Sequence, residues 1–178
     1  MSLRYALLGL LAGEPASGYD LTQRFEKQLG LIWPAKHPQI YGELGKLAEA
    51  GLIEVDSEGP RGRKVYRATE TGRAAVRHWL TEEPVDHTVR MEPLLRSVLS
   101  WLMDPADLRE HLAAEALYYR QAAAGFAQFA ASKDRGDYGD APEVKSMRVT
   151  IEAGIKLYEA LADWAEWAQT VPPAEAKD

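Results

Sequence analysis

Residues 37–69 read HPQIYGELGKLAEAGLIEVDSEGPRGRKVYRAT, and within them the hydrophobic period changes from 3.6 to 2 at Gly51. Before the change, Ile40, Leu44 and Leu47 fall on one helical face. His37 precedes Pro38, the residue favoured at a first helical position, and Gly51 follows as a stop signal. The opposite face carries Gln39, Gly42, Glu43 and Lys46, with Tyr41 at its flank. After Gly51, LIEVDS and RKVYRAT alternate on either side of the turn cluster EGPRG. That pattern predicts a β-hairpin whose tip presents Arg61, Arg63 and Lys64.

Working outward, the preceding residues predict two short helices. The first covers 3–12, with Ser2 as its cap and Leu7, Leu8 and Leu11 on the buried side. Gly13, Pro15 and Gly18 punctuate a turn. The second helix opens at Ser17 with Asp20 in the capping-box position, and buries Leu21, Phe25 and Leu29. On the other side of the hairpin, Thr69 caps a fourth helix ending near Trp79 and Leu80. Three helices, a hairpin and a helix over residues 1–80 make a winged helix-turn-helix.

Residues 81–90, most of which fall in the stretch EEPVDHTVRMEP, have the composition of a linker. Residues 91–170 read as all-helical. A helix of about ten residues starts at Pro93, and Asp104 with Asp107 suggests a second capping box opening a long helix to near Ser132. The loop KDRGDYGDAP then leads to a last helix from Pro142 to Gln169. Leu108, Leu112, Tyr119 and Phe126 on one long helix, and Met147, Ile151, Tyr158 and Leu161 on the other, keep coiled-coil spacing and are the expected dimer interface. Residues 171–178 are expected to be a flexible tail. The fold class is therefore mainly α: a winged helix-turn-helix with a small β-hairpin wing, plus an antiparallel helical dimerisation domain.

Charge divides along the same line. Residues 1–80 carry a net +2 and residues 81–178 a net −8, within a total of −6. A weakly basic domain can still bind phosphates where its cations cluster, because the local field outweighs the total. With no cysteine among 178 residues, disulfides, thiolate zinc sites and cysteine nucleophiles are excluded. His37, His78, His87 and His111 lack metal-site spacing, so no metal is expected, and no cofactor is implied. No nucleophile elbow, P-loop or dinucleotide fingerprint occurs, so the reading is not an enzyme. The apolar start is too short to span a bilayer and has no cleavage site, which suggests a cytoplasmic protein.

An α-helix fits the major groove of B-DNA, and Lys and Arg contacts to phosphates provide sequence-independent affinity. In that setting Gln39 is the base-reading side chain, since its amide can pair bidentately with adenine. His37, Tyr41 and Lys46 would contact phosphates, and Gly42 would let the helix approach closely. Arg61, Arg63 and Lys64 would reach flanking phosphates or the minor groove.

The stretches YALLGLLAGEPASGYDL, HPQIYGELGKLAEAGLIE and GRKVYRATETG, in that order, resemble the PadR-like transcriptional regulators across residues 3–80. The helical remainder resembles the longer C-terminal dimerisation domain of one branch of that family. Gly42 stands where the family usually has proline. The resemblance implies a repressor that binds double-stranded DNA as a homodimer, at an inverted repeat, and is released by a small hydrophobic or aromatic effector. Trp33 and Trp101, each near the expected domain junction, are the candidate effector-binding residues. The alternative is a small-molecule sensor or protein-interaction module with vestigial DNA binding.

Overall fold

The computed structural model describes residues 2–30 and 32–171, and of Arg61 the backbone alone. The expected tail thus lies almost wholly outside the described residues. The chain divides into two units, one ending at Thr88 and one beginning at Val89.

In the first unit, α1 (Ser2–Gly13), α2 (Gly18–Leu29) and α3 (His37–Glu49) precede the hairpin β2 (Ile53–Gly59) and β3 (Arg63–Ala68), and α4 (Glu70–Thr81) follows. Ser2 is the first residue of the α1 helix rather than its cap. Ser17 does cap α2, accepting the Asp20 backbone N–H at 3.3 Å. Helix α3 starts one residue earlier than Pro38 suggested, at His37. It stops in a Schellman arrangement: Gly51 sits at φ +66°, its N–H bonds the Ala48 carbonyl, and the Leu52 N–H bonds that of Leu47.

The hairpin is part of a three-stranded sheet, ordered β1-β3-β2, because Ala16–Ser17 forms a short strand β1 paired antiparallel with β3. Two residues are too few for alternation to register, and the sequence reading places Ala16 in a turn and Ser17 at the opening of the second helix. The pairing of Ser17 with Val65 holds the start of α2 beside the wing. A register shift between Val55 and Ser57 bulges β2, and the wing turns over at a 3₁₀ segment, Pro60–Gly62.

The core beneath these elements joins Leu7, Leu8 and Leu11 to Leu21 and Phe25, to Ile40, Leu44 and Leu47, and to Ile53 and Ala68 of the sheet. Thr69 ties the last helix down: its Oγ1 accepts the Gly72 N–H at 3.0 Å and donates to the Gly51 carbonyl at 2.9 Å. Gly72 is buried against the Leu52 carbonyl, so closely that a β-carbon there would collide with backbone. Gly72→Ala is expected to destabilise this unit by about 1–3 kcal/mol, seen as a lower midpoint in thermal melts. An unchanged midpoint would show that α4 can lift away without cost.

In the second unit, α5 (Glu92–Val98) runs into a 3₁₀ turn at Ser100–Leu102, and α6 (Pro105–Asp134) and α7 (Pro142–Ala168) form a helical hairpin. The first helix is thus shorter than expected and begins at Glu92. Asp104 occupies the N-cap of α6 but makes no side-chain capping bond. Proline follows it directly, and the sequence signature alone could not show where its carboxylate turns.

One expectation needs correcting. The heptad residues assigned to a dimer seam close on one another within a single chain. Leu112, Tyr119 and Ile151 are buried here, and Tyr158 packs between Tyr119 and Phe126, with ring centroids 6.1 and 5.5 Å away. Leu108, Met147 and Leu161 are partly buried. Gly154 admits the Phe126 ring, whose edge lies 3.1 Å from where a β-carbon would stand. Arg120 pins α6 to α7 through Glu166 at 2.8 Å and Asp163 at 2.6 Å. Heptad spacing shows that a helix has a partner; it does not show whether the partner belongs to the same chain.

What the hairpin leaves uncovered is a second apolar stripe on α7: Val149, Ala153, Leu157, Ala160 and Trp167. Leu157 is 53% and Trp167 62% exposed. Leu95, Val98, Leu99, Trp101 and Leu102 are likewise at least half exposed.

Candidate nucleic-acid interface

The exposed side of α3, the start of α2 and the wing enclose a groove of about 450 Å³, lined by Ser17, Gly18, Tyr19, Tyr41, Gly45 and Arg63 among others. Local sequence explains each wall. Ile40, Leu44 and Leu47 turn one side of α3 into the core, so Gln39, Tyr41, Gly42, Gly45 and Lys46 face outward. Gly42 and Gly45 leave open space where side chains would project. Gly18 lets the Tyr41 ring lie against α2: a β-carbon at Gly18 would stand 2.7 Å from Tyr41 Cε1.

Gln39 does two things at once. Its Oε1 accepts the Lys36 backbone N–H at 2.8 Å, which satisfies a free donor at the start of α3, while its amide N–H groups stay available on an exposed side chain. The expected base reader is therefore also a helix cap. Tyr41 is 49% exposed.

Several expected phosphate contacts are already paired with carboxylates. Lys46 bonds Glu43 at 2.6 Å, and His37 Nε2 lies 3.2 Å from Glu26. Arg63 does not point outward from the wing: its Nη2 donates to Ser17 Oγ at 3.0 Å and to Asp20 Oδ2. The Ser17 hydroxyl, and then Arg63, hold the Asp20 carboxyl below the usual carboxylate range. Lys64 has no carboxylate partner among the described residues and lines the groove. The Arg61 side chain lies outside the described residues.

Trp33, 47% exposed, belongs to the first unit and Trp101, 70% exposed, to the second; neither lines the groove. Sequence reasoning passed over Tyr19, which is 61% exposed on the groove wall. Its signal was available, since α2 buries Leu21 and Phe25 and that periodicity turns Tyr19 outward.

Residues 7–78 match the model of the transcriptional regulator PadR-like family, and residues 89–171 that of the virulence activator alpha C-terminal domain. The chain therefore carries a PadR-like regulator domain followed by a virulence-activator-type C-terminal domain. Among its relatives, the negative transcriptional regulator PadR of Bacillus subtilis is 40% identical over 99 residues, 53% of this chain and 54% of that protein. The chain thus aligns with about half the length of that curated relative. Solved structures extend the likeness over nearly the whole chain. Bacillus subtilis PadR in complex with operator DNA superposes with a TM-score of 0.81 at 26% identity, covering 94% of this chain and 96% of that one. The same protein in complex with p-coumaric acid gives 0.79 at 27%, covering 95% and 97%. The Vibrio cholerae virulence activator AphA gives 0.74 at 27%, covering 94% and 95%. These relatives are regulators rather than enzymes. No helix among the described residues is long and apolar enough to cross a membrane.

Proposed function

We propose that this PadR-like regulator is a cytoplasmic homodimeric repressor that binds an inverted-repeat operator, placing the two α3 helices in successive major grooves roughly 34–36 Å apart. The observation that carries the reading is the groove, where an outward-facing, glycine-lightened helix lies beside a wing with Lys64 at its edge. Gln39 would read a base edge, Tyr19 and Tyr41 would donate to phosphates, and Lys64 would add charge. Repression is supported by the negative regulator named above. The homodimer is supported by the apolar stripe on α7, which has no partner within the described residues of its own hairpin. An aromatic acid as effector is supported by the Bacillus protein's complex with p-coumaric acid.

The test separates the two roles of Gln39. Operator duplexes selected from random DNA are titrated with the wild type, Gln39→Ala and Gln39→Glu at two salt concentrations. Gln39→Glu keeps an acceptor for the Lys36 N–H but loses the amide donor, so it is expected to hold its melting temperature. Its operator affinity should fall by at least about tenfold, the value of a bidentate base contact. Gln39→Ala should lose affinity and also about 1 kcal/mol of stability with the cap. Salt-independent or absent binding by the wild type would overturn the proposal. p-Coumaric acid is expected to weaken operator binding, and unchanged binding across a series of phenolic acids would remove the effector from it.

A further inference from the structure

The wing arginine and the start of α2 form a closed triangle of polar bonds. Arg63 Nη2 meets both Ser17 Oγ and Asp20 Oδ2, and the Ser17 hydroxyl donates to Asp20 Oδ2 at 2.9 Å. The pair is half-open to solvent, with side chains 53% and 41% exposed. Ser17 and Arg63 both line the groove. Backbone pairing fixes the triangle, since Ser17 sits opposite Val65, two residues along β3 from Arg63. A guanidinium on this surface is the group a DNA phosphate would take, and a carboxylate presents it with a similar pair of anionic oxygens.

Resting on the DNA-binding reading above, we infer that Asp20 is an internal stand-in for a DNA phosphate, holding Arg63 until the wing seats on an operator, so that DNA must displace a carboxylate before the guanidinium adds to binding. A loose, non-cognate complex is held by phosphate contacts alone. It has no base contacts with which to offset the loss of the Asp20 pair, so Arg63 stays on Asp20 and adds nothing. In the operator complex, base contacts from α3 bring the wing onto the backbone and Arg63 changes partner. Asp20 then sets how tightly DNA is held although it touches no base.

The experiment measures binding of the full chain to operator and to a scrambled duplex of equal length across a salt series. The proteins are wild type, Asp20→Asn, Asp20→Glu, Arg63→Ala and the Asp20→Asn/Arg63→Ala double variant. Glu152→Gln makes the same charge change in the second unit and serves as control. Asp20→Asn is expected to bind scrambled DNA about three- to tenfold more tightly at low salt, because the released Arg63 guanidinium takes a phosphate. Its salt slope on scrambled DNA should steepen by about 0.9, one additional phosphate neutralised. Operator affinity should rise at least as much, since that complex no longer has to break the Asp20 pair, but its salt slope should stay as in wild type, while Asp20→Glu and Glu152→Gln keep the wild-type affinities and slopes. In the Arg63→Ala background the Asp20→Asn change should have no effect. If Asp20→Asn instead weakens operator binding and leaves scrambled DNA alone, the pair is a brace for the wing and the inference is overturned. An Asp20→Asn effect that persists without Arg63 overturns it too, in favour of direct repulsion. Wild type that binds neither duplex overturns the DNA-binding reading itself, a result distinct from both.

Discussion

A Leu157→Glu/Trp167→Glu variant is expected to run as a monomer and to lose on the order of a hundredfold or more in operator affinity. Both side chains are more than half exposed in the single chain, so two carboxylates there stay hydrated and the α6–α7 hairpin keeps its fold. In a dimer that covers the stripe they would be buried without partners, which costs several kcal/mol. Loss of the dimer converts linked binding at two half-sites into independent binding at each, and linkage is worth about 10²–10⁴ in apparent affinity. Sedimentation and operator titration on the same sample check the two parts together. A variant that stays dimeric moves the interface to the other exposed apolar segment, around Leu95, Trp101 and Leu102. A monomer that still binds the full operator as tightly as wild type would remove dimerisation from the proposed function.

The second large effect is expected at the centre of the first unit. Phe25 is fully buried and is the largest of the fully buried side chains among the described residues. Phe25→Ala should destabilise by about 3–5 kcal/mol, because the lost contacts and the residual cavity add. Against a total stability of about 5–15 kcal/mol, that leaves little margin. The melting midpoint should fall by roughly 15–30 °C, since each kcal/mol moves a domain of this size by several degrees. DNA binding would vanish as the three helices lose their shared core, while the α6–α7 hairpin keeps its own. A Phe25→Ala protein that melts close to wild type would show that Leu21 and Leu47 can close the gap.

These two predictions differ in how far the sequence alone could reach. Phe25 was legible because α2 is amphipathic and its periodicity names the buried side. The outer stripe of α7 was not. Two apolar stripes run along that helix, and the stronger one, through Ile151 and Tyr158, drew the assignment of a dimer seam. Only the position of α6 shows that this stripe is occupied within the chain.

The candidate interface shows the same division. Its backbone frame, the turn of α3 into the wing, follows from the change of period at Gly51. The partners of its charges do not, because Arg63 and Asp20 are 43 residues apart and meet only once β1 pairs with β3. Gln39 was read correctly as outward-facing, but its bond to Lys36 depends on where the helix starts. That point lay one residue from the expected one, which was enough to hide the cap.

The double duty of Gln39 limits how this regulator can be retargeted. An engineer who varies the recognition helix to obtain a new operator preference will find this position less free than its exposure suggests. Glutamine and glutamate keep the acceptor that starts α3, whereas arginine or lysine, the usual choices for guanine, remove it and leave the Lys36 N–H to water. Libraries randomised here should return two linked populations, stable with a narrow choice of base or broad in choice and frayed at the helix start. Changing Lys36 to serine or aspartate in the parent, so that the residue before the helix supplies its own capping oxygen, would uncouple the two.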